Sequence, residues 1–100
     1  MNVVNVISKV RFNSARPQRV NLEKSGGVIC DLLCLEPGQE NDGGQAWAYY
    51  VIAGSGQLKT SQGKSELVMG CLAVLDNGQA HAIVNGPEQR LICLVLSHKT

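Results

Sequence analysis

Short apolar segments, many of them β-branched or aromatic, recur along the chain and are separated by clusters of Gly, Asn and Pro. No long stretch has the helical period, and short segments of this composition favour strands. The predicted strands are residues 3–10, 28–35, 46–53, 57–60, 65–69, 71–75, 80–84 and 90–97, with a short extended piece at 19–22. Strands that recur about every 8–12 residues predict an all-β sandwich or barrel.

Turn signals separate these predicted strands. Gly26-Gly27 follows Ser25, and residues 61–63 predict the turn of a hairpin. Residues 41–44, Asn-Asp-Gly-Gly, predict a loop. Asn77-Gly78 is the strongest turn signal of the chain, because both residue types tolerate positive φ.

Several predicted strands are continuous apolar runs, above all residues 91–96. In an antiparallel fold, a continuous run indicates that both faces of the strand are covered. One face would pack on the core, and the other on a second sheet or on a partner subunit. We therefore predict a homodimer.

Length and composition exclude several classes of protein. A chain of 100 residues that is 44% hydrophobic makes one domain, residues 1–100. Nine Lys+Arg against eight Asp+Glu give a net charge of +1, which argues against general nucleic-acid binding. No apolar run approaches the roughly 20 residues of a membrane span, and no cation precedes the first apolar residues as in a secretory signal. We expect a cytoplasmic protein with no nucleic-acid or membrane partner.

The four cysteines all lie in apolar runs, and no two have the C-x-x-C spacing. They are Cys30, Cys34, Cys71 and Cys93. We expect reduced, buried thiols that act as small hydrophobic side chains.

Two stretches of the chain resemble the conserved motifs of the cupin superfamily. The first comprises Leu-Glu-Pro-Gly-Gln-Glu at residues 35–40 and Tyr-Tyr-Val-Ile-Ala-Gly-Ser-Gly at 49–56. The matches to the second motif are Gly70, Gly78, His81 and Asn85. Asp76 stands where this motif usually has Pro. The resemblance covers residues 32–96 and implies an antiparallel jelly-roll β-barrel in a single domain.

Many cupins bind a metal through two histidines and a glutamate of the first motif and one histidine of the second. This chain has two histidines, and only His81 lies in a motif, whereas His98 is expected to be exposed and without a role. Glu40 and Asp42 are the nearest carboxylates, and they lie at the predicted loop. One imidazole falls short of the three or four ligands of a tight transition-metal site. We predict a cupin without a metal or other cofactor.

The resemblance implies that His81 points into the barrel, where it would hydrogen-bond a ligand or act as an acid or base. The alternative is a leftover interior histidine that a backbone carbonyl or water satisfies. Strand alternation turns one tyrosine of residues 49–50 inward, and Trp47 would line the pocket mouth or belong to the core. The candidate pocket residues are Trp47, Tyr49, Tyr50, Gln79, His81, Ile83 and Asn85. No catalytic residue is assigned.

Three functions remain open at this point. The first is a small-molecule binding or regulatory module. The second is a metal-free isomerase or epimerase for a sugar-like or small carbonyl substrate, because some metal-free cupin epimerases use an interior histidine as base and a tyrosine as acid. The third is a structural dimer with a filled barrel. The sequence favours a protein that is not an enzyme, since no cation cluster for a sugar phosphate is evident.

Overall fold

The described chain consists mainly of short strands, in which buried and exposed side chains alternate. The computed structural model describes residues 1–76 and 78–98. Within these residues the strands are β1 (Gln18–Ser25), β2 (Val28–Leu35), β3 (Glu40–Asp42), β4 (Ala46–Ala53), β5 (Ser55–Thr60), β6 (Gly63–Val68), β7 (Leu72–Val74), β8 (His81–Asn85) and β9 (Leu91–His98). A single 3-10 turn, Ile7–Lys9, precedes them. None of the described residues forms a helix long and apolar enough to cross a membrane.

The strands form two antiparallel sheets. The five-stranded sheet has the order β1-β2-β9-β4-β7, and the four-stranded sheet has the order β3-β8-β5-β6. From β3 onward, consecutive strands lie in different sheets except for the β5–β6 hairpin, which is a jelly-roll arrangement. The prediction of an antiparallel all-β fold of this type is confirmed, although the two sheets remain separate and do not close into one continuous sheet.

Side chains from the facing surfaces of the two sheets fill the space between them. On β9, Leu91, Cys93 and Val95 are fully buried and the residues between them are partly exposed. Ile83 of β8 and Leu58 of β5 belong to the same core cluster. Burial of each aliphatic side chain of this kind contributes about 1.5–3 kcal/mol relative to exposure. Much of the barrel interior is therefore occupied by the protein's own side chains.

The predicted first strand, residues 3–10, is wrong. This segment contains the 3-10 turn and no strand. The Ser8 hydroxyl donates to the Asn5 carbonyl at 2.7 Å, and the Asn5 side chain accepts from the Ser8 N–H at 3.3 Å. These local hydrogen bonds offer the backbone an alternative to a strand ladder.

The later strands differ from their predicted bounds by one or two residues, and two larger differences concern β3 and β1. The loop predicted at residues 41–44 overlaps β3, because Asn41 pairs with Ile83 of β8. The extended piece predicted at 19–22 belongs to the longer β1, which forms a hairpin with β2 around Gly26 and Gly27, with φ of 58° and 82°. Asn77 of the predicted Asn-Gly turn lies outside the described residues.

All four cysteines are free. Cys34 and Cys93 are fully buried, whereas Cys30 and Cys71 are half-buried. Burial, together with a smaller effect of the neighbouring Cys34, raises the pKa of Cys93 to about 12. Both fully buried thiols therefore behave as small core hydrophobes, as the apolar context of their sequence predicts.

Candidate functional site

A buried tyrosine and a buried histidine meet across the two sheets. Tyr49 lies on β4 and is 1% exposed, and His81 begins β8 and is 7% exposed. The Tyr49 hydroxyl lies 2.8 Å from His81 Nε2. Their rings make an edge-on contact, with centroids 5.4 Å apart. We refer to these two residues as the Tyr–His pair.

The second ring nitrogen of His81 fixes the direction of this hydrogen bond. His81 Nδ1 lies 2.8 Å from the Gln79 carbonyl oxygen, which can only accept. The proton of a neutral imidazole is therefore on Nδ1, so Nε2 accepts from the Tyr49 hydroxyl. Both ring nitrogens of His81 thus have protein partners. This arrangement matches the interior histidine satisfied by a backbone carbonyl, with Tyr49 as the second partner.

The environment of the pair keeps the Tyr49 phenol protonated. Burial raises the pKa of Tyr49 to about 12, an effect that the Arg19 charge opposes and that Cys93 and Asp42 reinforce. At neutral pH, Tyr49 therefore holds a proton and donates it in the hydrogen bond to His81.

The residues around His81 do not fit a transition metal. Nε2, the nitrogen that faces the interior, is engaged by Tyr49. A Cβ on residue 43 would overlap the imidazole, so the Gly43 backbone packs directly on the ring. In residues 1–76 and 78–98, no three His, Cys, Asp or Glu side chains converge as a ligand set. The space beside the His81 ring is thus occupied by the Tyr49 hydroxyl and the Gly43 backbone.

An ion pair that was not predicted lies on the inner face of the five-stranded sheet. Arg19 Nε donates to Asp31 at 2.8 Å, and its Nη2 donates to the Ser97 hydroxyl at 2.9 Å. Asn21 donates to the other Asp31 oxygen at 2.9 Å. The signal in the sequence is Asp31 itself, a single carboxylate within the otherwise apolar β2.

The other predicted pocket residues are dispersed. Tyr50 is 43% exposed on the outer face of β4, on the opposite side of the strand from Tyr49. Ile83 is fully buried in the core cluster. The side-chain nitrogen of Asn85 lies 2.6–3.2 Å from three backbone carbonyl oxygens. It therefore stabilises the loops at the end of β8 that is remote from His81. Trp47 and Gln79 line a cavity of about 190 Å³.

Two cavities lie on either side of Gln79. The smaller one, about 190 Å³, is bounded by Trp47 and by His98, whose ring stacks on Trp47 with centroids 5.6 Å apart. His98 is exposed, as expected, but it contacts a predicted pocket residue. The larger one has a volume of about 320 Å³. Its lining residues are Leu58, Thr60, Gln62, Gly63, Lys64, Ser65, Val74, Leu75 and Gln79. We call it the mouth cavity, because it lies at the end of the four-stranded sheet, where its lining residue Thr60 pairs with His81.

Solved structures resemble this fold along its whole length. A double-stranded β-helix domain protein from Klebsiella pneumoniae superposes with a TM-score of 0.85 at 20% identity, covering 100% of this chain and 92% of that one. A Cupin 2 conserved barrel domain protein from Salinispora arenicola gives 0.78 at 13% identity, covering 100% and 90%. The chain has a cupin fold. A candidate sugar phosphate isomerase from Acidithiobacillus ferrooxidans gives 0.65 at 26% identity, covering 82% of this chain and 60% of that one.

Comparison by sequence alone adds no family assignment to this fold. No family model matches the chain. No curated protein matches it either. At the identities found, the likeness to solved cupins establishes the fold and leaves the function to the geometry of the site.

Proposed function

We propose that this cupin is a small-molecule binding module without a catalytic centre, and that its ligand occupies the mouth cavity. The observation that carries the proposal is the cavity of about 320 Å³ at the end of the four-stranded sheet where Thr60 pairs with His81. That volume lies at the lower end of the roughly 300–1,000 Å³ of small-molecule sites.

The lining of the mouth cavity indicates the class of ligand. Thr60 and Ser65 offer hydroxyl groups, Gln62 offers an amide and Lys64 an ammonium group. Leu58 lies at the same site and supplies an apolar surface. Neutral donors with one cation suit a small hydroxylated compound or a short carboxylate.

The binding site is tested by titrating the 15N-labelled protein with short-chain carboxylates and with monosaccharides. We expect amide shifts at Thr60, Lys64, Ser65 and Gln79 for one of these classes. Ser65→Leu fills the cavity and should abolish these shifts. Lys59→Gln is the control, because Lys59 pairs with Lys64 but does not line the cavity. If neither class produces shifts at these residues, or if folded Ser65→Leu binds as well as the wild type, the proposal fails and the structural role with a filled barrel takes its place.

A second candidate is a metal-free isomerase of sugar-like substrates. Two observations favour it: the hydroxyl–imidazole contact of the Tyr–His pair, and the name of the candidate sugar phosphate isomerase of similar fold. Against it, both side chains are buried and engage each other. Incubation of aldose and ketose phosphates with the protein in D2O distinguishes the isomerase from the non-catalytic binding module. Exchange of a carbon-bound proton that is lost in His81→Gln would establish the isomerase and overturn the non-catalytic proposal, whereas we expect no exchange.

A further inference from the structure

The two sheets leave an opening between β6 and β7. β6 is the last strand of the four-stranded sheet and β7 the last strand of the five-stranded sheet, so no strand of the described chain pairs with the outer edge of either. The mouth cavity lies at this opening, because Lys64 and Ser65 of β6 line it together with Val74 of β7. We call the opening between β6 and β7 the seam.

Every second residue of β6 directs its backbone groups into the seam. The two-residue turn of the β5–β6 hairpin joins Thr60 to Gly63, and the pair that closes such a turn is hydrogen-bonded. Hydrogen-bonded and non-hydrogen-bonded pairs alternate along an antiparallel ladder. Lys64 and Glu66 therefore direct their N–H and C=O groups away from β5, whereas Ser65 directs its own towards β5.

The β7 edge of the seam has the same property. The Cys71 carbonyl accepts from a β4 N–H at 2.9 Å, and the Leu75 N–H donates to a β4 carbonyl at 2.8 Å. By the same alternation, Leu72 and Val74 direct their backbone groups away from β4. The seam therefore offers main-chain donors and acceptors on both of its sides.

The β6 edge lacks two of the features that keep other strands away from a sheet edge. Its register with β5 is continuous and contains no bulge, and residues 63–76 contain no proline. Its edge residues Lys64 and Glu66 carry opposite charges, so they do not repel a ligand that carries both. An edge of this kind accepts an extended chain through main-chain hydrogen bonds, while a neighbouring cavity takes one of its side chains.

We propose that the ligand of the mouth cavity is a short extended peptide of about three residues, roughly 10 Å long, that pairs with the β6 edge as an antiparallel strand. This inference rests on the proposed function, because it names the class of ligand for the same cavity. The peptide lies opposite residues 64–66, and the side chain opposite Ser65 enters the mouth cavity beside Leu58. Antiparallel pairing places the terminal carboxylate at Lys64 and the terminal ammonium at Glu66, so each terminal charge meets its opposite.

The test is hydrogen exchange of the 15N-labelled protein, followed by NMR, with trialanine as the probe. In the free protein we expect rapid exchange of the Lys64 and Glu66 amide protons, which face the seam. Saturating trialanine should slow both by at least about tenfold, because each gains a hydrogen bond. The Ser65 amide proton already bonds to β5, so it is the control within the same strand and should change by less than about twofold.

A matched pair of ligands tests the same hydrogen bonds from the other side. Replacing the last amide N–H of trialanine by an ester oxygen removes the donor to the Lys64 carbonyl and keeps both terminal charges. The ester should bind about tenfold more weakly. In the protein, Lys64→Pro removes the edge N–H without breaking the β5–β6 ladder, and Lys64→Ala, which keeps this N–H, is its control. Lys64→Pro should bind trialanine at least about tenfold more weakly than Lys64→Ala.

The outcomes separate this inference from the proposed function. Equal protection of the Lys64, Ser65 and Glu66 amides overturns the strand pairing, and so does an ester that binds as tightly as trialanine. These two measurements use the wild-type protein, so they decide the question even if Lys64→Pro does not fold. If trialanine does not bind while a carboxylate or a monosaccharide shifts the cavity residues, the peptide inference fails and the proposed function stands. If none of these probes binds, both fail.

Discussion

Replacing Tyr49 by Phe removes a single oxygen from the centre of the candidate site. The ring stays in its packing environment, which leaves Tyr49 only 1% exposed. What is lost is the hydrogen bond to His81 Nε2, and the buried acceptor is then left without a partner. An unsatisfied buried acceptor costs about 1–3 kcal/mol. For a domain of this size, each kcal/mol corresponds to a shift of roughly 4–8 °C in melting temperature.

The chain provides a matched control in the next residue. Tyr50→Phe makes the same chemical change on the outer face, where Tyr50 is 43% exposed. We expect the Tyr50→Phe variant to stay within about 0.5 kcal/mol of the wild type. Urea unfolding at neutral pH, followed by circular dichroism at one protein concentration, measures both differences.

Equal unfolding free energies for the Tyr49→Phe and Tyr50→Phe variants would refute the reasoning. That result would mean that water satisfies His81 Nε2 once the hydroxyl is gone, and hence that the pair is accessible to solvent. A double-mutant cycle with His81→Leu completes the test, because residues in contact show coupling of about 0.5–3 kcal/mol. A coupling near zero would show that the hydrogen bond does not stabilise the fold.

Three further predictions concern stability. Gly43→Ala should cost about 1–3 kcal/mol, because the new Cβ would overlap the His81 ring, whereas Gly86→Ala meets open space and should not destabilise in the same thermal melts. Asn85→Ala should lower the free energy of unfolding in urea by about 1–3 kcal/mol, because it leaves backbone carbonyl groups unpaired. Because burial raises the pKa of Cys93 from its ordinary 9.0 to about 12, the unfolded chain loses this proton first. Stability should therefore fall as pH rises from about 9 towards 12, and the fall should be shallower in Cys93→Ala.

The strands with the clearest patterns were predicted to the residue. β2 and β4 have the bounds that the apolar runs at 28–35 and 46–53 indicate. Their bounds are marked by Gly and Pro, and both lie in the five-stranded sheet beside β9. The N-terminal segment was mispredicted because its Val and Ile residues suit a strand, while the pairing partner that a strand needs is not specified by local sequence.

Which tyrosine faces inward could not be derived from alternation alone. The register between β4 and β9 shifts between Ala46 and Ala48 and again between Val51 and Ala53. Each shift adds an unpaired residue and changes which positions share a face. Tyr49 and Tyr50 lie between the two shifts, so their orientation depends on irregularities that the sequence does not mark. For the Arg19–Asp31 ion pair, the sequence marks Asp31 as a carboxylate in an apolar strand, but it does not indicate that Arg19 is its partner.

The place of β9 in the five-stranded sheet has a consequence for how the chain folds. β9 lies between β2 and β4, and Val28 pairs with His98 at the far end of the described chain. Closing so long a loop is entropically costly, and folds dominated by such pairings reach the native state in milliseconds to seconds. During synthesis β9 emerges after β1–β8. Until then, the edges of β2 and β4 that pair with β9 have no hydrogen-bonding partner, and the apolar side chains beside them are uncovered. The central strand is therefore the last to be added to the sheet. We expect the nascent chain to be most prone to aggregation before β9 pairs with β2 and β4.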